Sequence, residues 1–233
     1  MKKTKIDWCD CTINPVVGCQ NGCKYCYGEK INCRFHIVKN WKQPEYFPDR
    51  LKQFESKKSK SVFIDSMSDI GCWRNEWYDA VMDAISNNTQ HRYIALTKRP
   101  DGFLANNTAY AARRGRLIRN FYVGVSVTSK LSLANYGSLL HYFDFLSIEP
   151  LLAPVGLIDW AINQHTSNIK LLIIGAETGN REGKVIPQKE WVDDIVRQAD
   201  EAGVSVFMKD SLRAIMGDDF RQDTLLWNKE AAI

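Results

Sequence analysis

Six apolar runs recur along the chain: Ser61–Ser66, His91–Thr97, Phe121–Val127, Phe143–Glu149, Lys170–Gly175 and Val204–Lys209. Most are continuous rather than alternating, which predicts strands buried on both faces of a parallel sheet. Thr12–Val17 reads as a first strand, giving about seven in all. The segments between them read as helices. Trp77, Val81 and Ile85 fall at four-residue steps, as do Trp191, Ile195 and Ala199, with Pro187 before the second series and Gly203 after it. These spacings place Trp77 and Trp191 in the core. Repeated strand–helix units predict an α/β fold of βαβ crossovers. A complete eight-fold barrel takes roughly 250 residues, so 233 residues suit a partial or minimal (β/α) TIM-like barrel with parallel strands. No repeat, linker or low-complexity stretch divides residues 1–233, so one domain is expected. Many strands end on polar residues (Asp65-Ser66, Thr97-Lys98, Ser126, Glu149, Glu177, Lys209-Asp210), and in such folds ligands bind at the carboxyl ends of strands.

With 45% hydrophobic and 25% charged residues, the composition is that of an ordinary globular protein and excludes disordered and fibrous classes. Stretches without a charged residue, such as Leu131–Phe143, fall short of the roughly 20 residues of a membrane span. The basic start, Met1-Lys2-Lys3-Thr4-Lys5, leads into no apolar region of a secretory signal. A cytoplasmic protein with no membrane partner is expected. The net charge of +4 is uneven: residues 1–60 hold 13 Lys+Arg and 6 Asp+Glu. A second basic run (Arg92, Lys98, Arg99, Arg113, Arg114, Arg116 and Arg119) has only Asp101 against it in the sequence. Such patches are compatible with a phosphate-bearing partner or with a solvated surface.

Six of the seven cysteines (9, 11, 19, 23, 26, 33 and 72) lie within 25 residues. An odd number clustered at one end suits metal binding or redox chemistry better than a disulfide framework. Gly18-Cys19-Gln20-Asn21-Gly22-Cys23-Lys24-Tyr25-Cys26-Tyr27 contains C-x3-C-x2-C directly after the first expected strand. Three such thiolates can hold three irons of a [4Fe–4S] cluster and leave the fourth open to an exchangeable ligand. A zinc site completed by Cys33, Cys11 or His36 is the alternative.

This motif, with an aromatic before its last cysteine and a tyrosine after it, resembles the signature of the radical S-adenosylmethionine superfamily. Asn14–Cys19, Asp65–Asp69, Leu96–Pro100, Gly124–Val127, Leu146–Leu152 and Gly175–Gly179 resemble successive blocks of one phage- and prokaryote-associated, radical-SAM-like family of unknown function. A shorter likeness, confined to the cysteines, is to spore photoproduct lyase and related DNA-repair enzymes.

The resemblance implies a radical SAM enzyme with a barrel of that type. Its [4Fe–4S] cluster and S-adenosylmethionine would give a 5′-deoxyadenosyl radical that abstracts hydrogen from a substrate. An electron donor such as flavodoxin or ferredoxin is implied, and a nucleic acid or nucleotide is the expected substrate. Carried over by position, Cys19, Cys23 and Cys26 would ligate the cluster. Ser66 and Asp69 would meet the methionine amino group, in a stretch that departs from the common Gly-Gly-Glu form. Lys98 would pair with the carboxylate, Ser126 with a ribose hydroxyl and Tyr25 with adenine, while Glu149 and Glu177 would face cofactor or substrate. Cys72 is a candidate hydrogen donor. Readings outside this scheme are a non-catalytic zinc-binding or nucleic-acid-binding module and a member that binds a cluster without S-adenosylmethionine.

Overall fold

Val, Ile and Leu concentrate in short runs bounded by polar turns, and in the structure each of the six apolar runs from Ser61 onward contains a strand. The computed structural model describes residues 2–115, 118–156, 158–163 and 165–228; Arg116 of the basic run lies outside them. The chain forms two compact units, Met1–Val123 and Gly124–Ile233.

In the first unit the elements are β1 (Lys2–Lys3), β2 (Cys11–Thr12), β3 (Val16–Val17), α1 (Tyr27–Phe35), β4 (Glu45–Tyr46), β5 (Ser61–Phe63), α2 (Asn75–Asn87), β6 (Arg92–Thr97) and α3 (Pro100–Arg114). β2, β5 and β6 pair in parallel, with Cys11 opposite Val62 and Ser61 opposite Arg92; β1 adds an antiparallel edge. The single strand expected over Thr12–Val17 is split. Pro15 has no N–H to give a ladder, and the Asn14 side chain turns away to accept hydrogen bonds from Met67 N–H (2.9 Å) and Ser66 Oγ (3.0 Å). Val16–Val17 then pairs antiparallel with β4, a hairpin the apolar pattern does not announce because each arm is two residues long. Helix α2 buries Tyr78, Val81, Met82 and Ile85. Trp77, expected in this core, is only half-buried: it stacks on Tyr46 (centroids 6.1 Å apart) and carries the Arg74 guanidinium 4.9 Å from its ring centre.

In the second unit, β7 (Phe121–Ser126, entering from the first), α4 (Lys130–Tyr136), β8 (Phe145–Ile148), α5 (Asp159–Ile162), β9 (Leu171–Ile174), α6 (Lys189–Ala202), β10 (Ser205–Met208) and α7 (Arg213–Met216) follow in order. β7 to β10 are parallel and adjacent in chain order. Every residue of β8 and β9 is buried, as a sheet covered on both faces requires. Helix α6 buries Val192, Ile195 and Ala199 and stops at Gly203, which takes the left-handed conformation of a helix end; Trp191, expected in the core, is half-buried. Parallel strands linked by helices make this an α/β protein with the connectivity expected of a partial (β/α) barrel. No described helix is long and apolar enough to cross a membrane.

Candidate functional site

The C-x3-C-x2-C loop leaves β3 at Gly18, and the local backbone explains why glycine stands there. Its φ is +108°, and a Cβ would lie 2.8 Å from both Pro44 Cα and Trp41 O. Gly18 N–H donates to Met67 O (2.9 Å) and Cys19 N–H to Trp41 O (2.8 Å), which seats Cys19. Cys26 caps α1: its sulfur accepts from Glu29 N–H at 3.4 Å. Cys19 and Cys26 pack against one apolar cluster of Val17, Val38, Trp41 and Met67. Burial pushes the Cys19 thiol up to about 12, with the charges of Asp69, Cys72 and Cys23 adding to the rise and the Asn21 amide opposing it. Burial also raises Cys26, against hydrogen bonds from the Glu29 and Gly28 amides. These thiols therefore stay protonated near neutrality unless a cation takes them.

Three soft thiols on one glycine-bearing loop fit an iron–sulfur cluster in donor chemistry and spacing. They are not a preformed cage: among the described residues, no group of three or more His, Cys, Asp or Glu side chains is arranged to hold a metal ion. The residues considered for completing a zinc site are placed elsewhere. Cys33 and His36 sit about 10 and 15 Å along α1 from Cys26, at 1.5 Å per residue. Cys11 is buried on β2 with its sulfur 3.9 Å from Ser61 O. Cys72 does reach the loop, its sulfur 3.8 Å from Asn21 Oδ1 and within hydrogen-bond reach of the Gln20 amide. Burial and the nearby Asp69 charge push its thiol up to about 11.

Around the loop the first unit gathers Tyr25, Ser66, Asp69 and Lys98. The Lys98 ammonium lies 5.9 Å from the Tyr25 ring centre. Ser66 Oγ donates to Asn14, and its carbonyl accepts from Tyr27 Oη at 2.6 Å, which fixes the turn after β5. Asp69 is surrounded by protein donors. Oδ1 accepts from Gly71 N–H (2.9 Å) and Thr97 Oγ1 (2.6 Å), and Oδ2 from Asn21 Nδ2 (2.5 Å) and Lys98 N–H (2.9 Å). Asn21 Oδ1 in turn accepts from Arg99 Nε at 3.0 Å. Beneath lies Asp65, buried, accepting from Leu96 N–H (3.1 Å) and Ile70 N–H (3.2 Å). Burial first, then the Asp69 charge, holds its carboxyl well above the usual range.

The second unit holds Ser126, Glu149 and Glu177. Ser126 is buried, and its carbonyl accepts from Tyr136 Oη at 3.0 Å. Glu149 pairs with Lys209 at 2.5 Å across Gly175, a contact the polar strand ends hinted at for each residue separately. Glu177 is gripped in two places by Arg181 (2.6 and 2.8 Å), four residues on, which binds its carboxylate within the loop after β9.

The second basic run is less basic in space than along the chain. Arg113 pairs with Asp79 and Arg114 with Asp83, both on α2. Lys98 and Arg99 stay at the cysteine loop. Asn21, Asn14 and Arg181 are contributors that the sequence pattern does not single out, whereas Thr97 and Lys209 stand among the polar strand ends and Arg99 in the second basic run. The signal for Asn21 was its place midway between two motif cysteines.

A family model described as "Protein of unknown function (DUF5131)" matches residues 3–217, across both units. No curated protein matches the chain significantly.

Proposed function

Because the chain belongs to the DUF5131 family, whose function is unknown, we propose its chemistry from the site itself: a radical SAM enzyme on a partial barrel of that type, acting on a nucleic acid or nucleotide. The observation that carries the reading is the C-x3-C-x2-C loop, entered through the constrained Gly18 and left through the Cys26 cap of α1, with Cys19 and Cys26 on one apolar cluster. Cys19, Cys23 and Cys26 would hold the cluster. When bound, it supplies the electron that cleaves S-adenosylmethionine to a hydrogen-abstracting radical.

This chain's residues supply position and charge. The apolar cluster of Val17, Val38, Trp41 and Met67 keeps water from one side of the Cys19 and Cys26 thiols. Lys98, beside Tyr25, offers a cation next to an aromatic face, suited to a carboxylate and an adenine. Ser66 Oγ spends its hydrogen on Asn14 and keeps lone pairs to accept from an ammonium. The nucleic-acid substrate is supported by the net +7 of residues 1–60 (13 − 6) and by Lys98 and Arg99 at the loop. Flavodoxin or ferredoxin would deliver the electron, in the cytoplasm.

Anaerobic reconstitution with iron and sulfide tests this reading. Wild type should take up about four irons per chain, and the triple variant Cys19→Ser, Cys23→Ser, Cys26→Ser none. Purified protein holding zinc and taking no iron would favour the zinc module, with Cys72 as the nearby fourth thiol.

A further inference from the structure

We infer that Asp69 is a positioning residue rather than a cofactor contact, and that with Asn21 it latches the Cys19–Cys23 segment to the polar ends following β5 and β6. The inference rests on the proposed metal-binding role of the cysteines. Asp69 was expected to meet a methionine amino group, but each of its oxygens already accepts two hydrogen bonds from the protein. Those four donors come from three stretches: the turn at Gly71, the end of β6 at Thr97 and Lys98, and the cysteine loop at Asn21. One buried carboxylate thus ties the loop to the strand end that carries Lys98. Asn21 is the loop's half of the latch. Its Nδ2 donates to Asp69 at 2.5 Å and its Oδ1 accepts from Arg99 and the Cys72 thiol, so its amide can face only one way. The residue lies two positions from both Cys19 and Cys23, where a change in loop seating moves both sulfurs.

The polarity of the pair supplies the test. Asn21→Asp sets carboxylate against carboxylate. Asp69→Asn sets an NH2 group among donors. The double variant restores a donor facing an acceptor, keeps an acceptor for Arg99 and loses only the Lys98 N–H bond. Each apo protein is titrated anaerobically with Co2+ alone, and thiolate-to-cobalt charge-transfer absorption reports how many thiolates bind. Partners that orient metal ligands typically change affinity about 10- to 100-fold. Asn21→Asp should weaken Co2+ by that factor with reduced charge-transfer intensity, and the double variant should recover most of both. Asn21→Asp binding as wild type does, or a double variant no better than the worse single, would overturn the latch. If wild type binds no Co2+, the metal reading fails by itself. The latch is then judged by hydrogen exchange of the amides of residues 20–25, faster in Asn21→Asp and slowed again in the double variant. Equal exchange in all four proteins would overturn it.

Discussion

The turn that carries Gly71 is packed so closely that one methyl group should unseat it. A Cβ there would lie 2.3 Å from Arg99 O, 2.7 Å from Thr97 Oγ1 and 2.8 Å from Arg99 Cβ. From the other side, a Cβ on Gly102 would lie 2.2 Å from Gly71 O. The first obstacle in each case is a backbone oxygen, which cannot rotate away, so the turn and the start of α3 must part by about 1 Å to reach ordinary contact. Overpacking of this kind costs about 1–3 kcal/mol. Here the displacement also strains the bonds of Gly71 N–H and Thr97 Oγ1 to Asp69, so Gly71→Ala belongs near the top of that range, about 3 kcal/mol. For a chain of 233 residues that is a fall of about 6–12 °C in Tm, read by circular dichroism. Because Gly71→Ala and Gly102→Ala open one seam, the double variant should lose less than the sum of the singles. A Gly71→Ala protein melting within 2 °C of wild type (about 0.5–1 kcal/mol), or strict additivity, would refute the packing argument.

Two further outcomes follow from buried carboxylates. Asp65 carries a raised folded-state pKa, so its contribution is fully present below the ordinary Asp value of about 4 and is lost as pH rises through the folded value. The denaturation midpoint of wild type relative to Asp65→Asn should be most favourable in acid and decline toward neutral pH; a difference that grows with pH contradicts this. In the second unit, Arg181→Met should lower Tm more than Glu177→Gln, because it takes the two-point Arg181 pairing from a charged carboxylate with 3% side-chain exposure, whereas glutamine is neutral. The reverse order in thermal unfolding would count against the pairing.

The strands were legible because burial on both faces leaves unbroken apolar runs. β5 to β10 all fall inside the runs that predict them. What escaped was set by contacts distant in sequence. The Asn14-Pro15 break and the hairpin of Val16–Val17 with Glu45–Tyr46 depend on residues some 30 to 50 positions away. Four-residue spacing marks α2 and α6 but not which flank faces solvent, so it does not separate the half-buried Trp77 and Trp191 from the core. At the site, the cysteine loop was readable from spacing alone. The partners of Asp69, Glu149 and Glu177 were not, because a strand-end carboxylate looks the same in a sequence whether it awaits a ligand or is already held by Asn21, Lys209 or Arg181. The run of charge along the chain overstates Arg113 and Arg114 for the same reason: their carboxylates lie on α2, over 30 residues earlier.

Electron paramagnetic resonance of the anaerobically reconstituted, dithionite-reduced protein, with and without S-adenosylmethionine, reads the proposed cluster and its open iron together. A reduced [4Fe–4S] signal is expected, absent when Cys19, Cys23 and Cys26 are replaced by serine, that changes shape on adding S-adenosylmethionine because one iron is free to bind it. A cluster signal that ignores S-adenosylmethionine would contradict the radical-enzyme reading, and no cluster at all would contradict the assignment of the three cysteines.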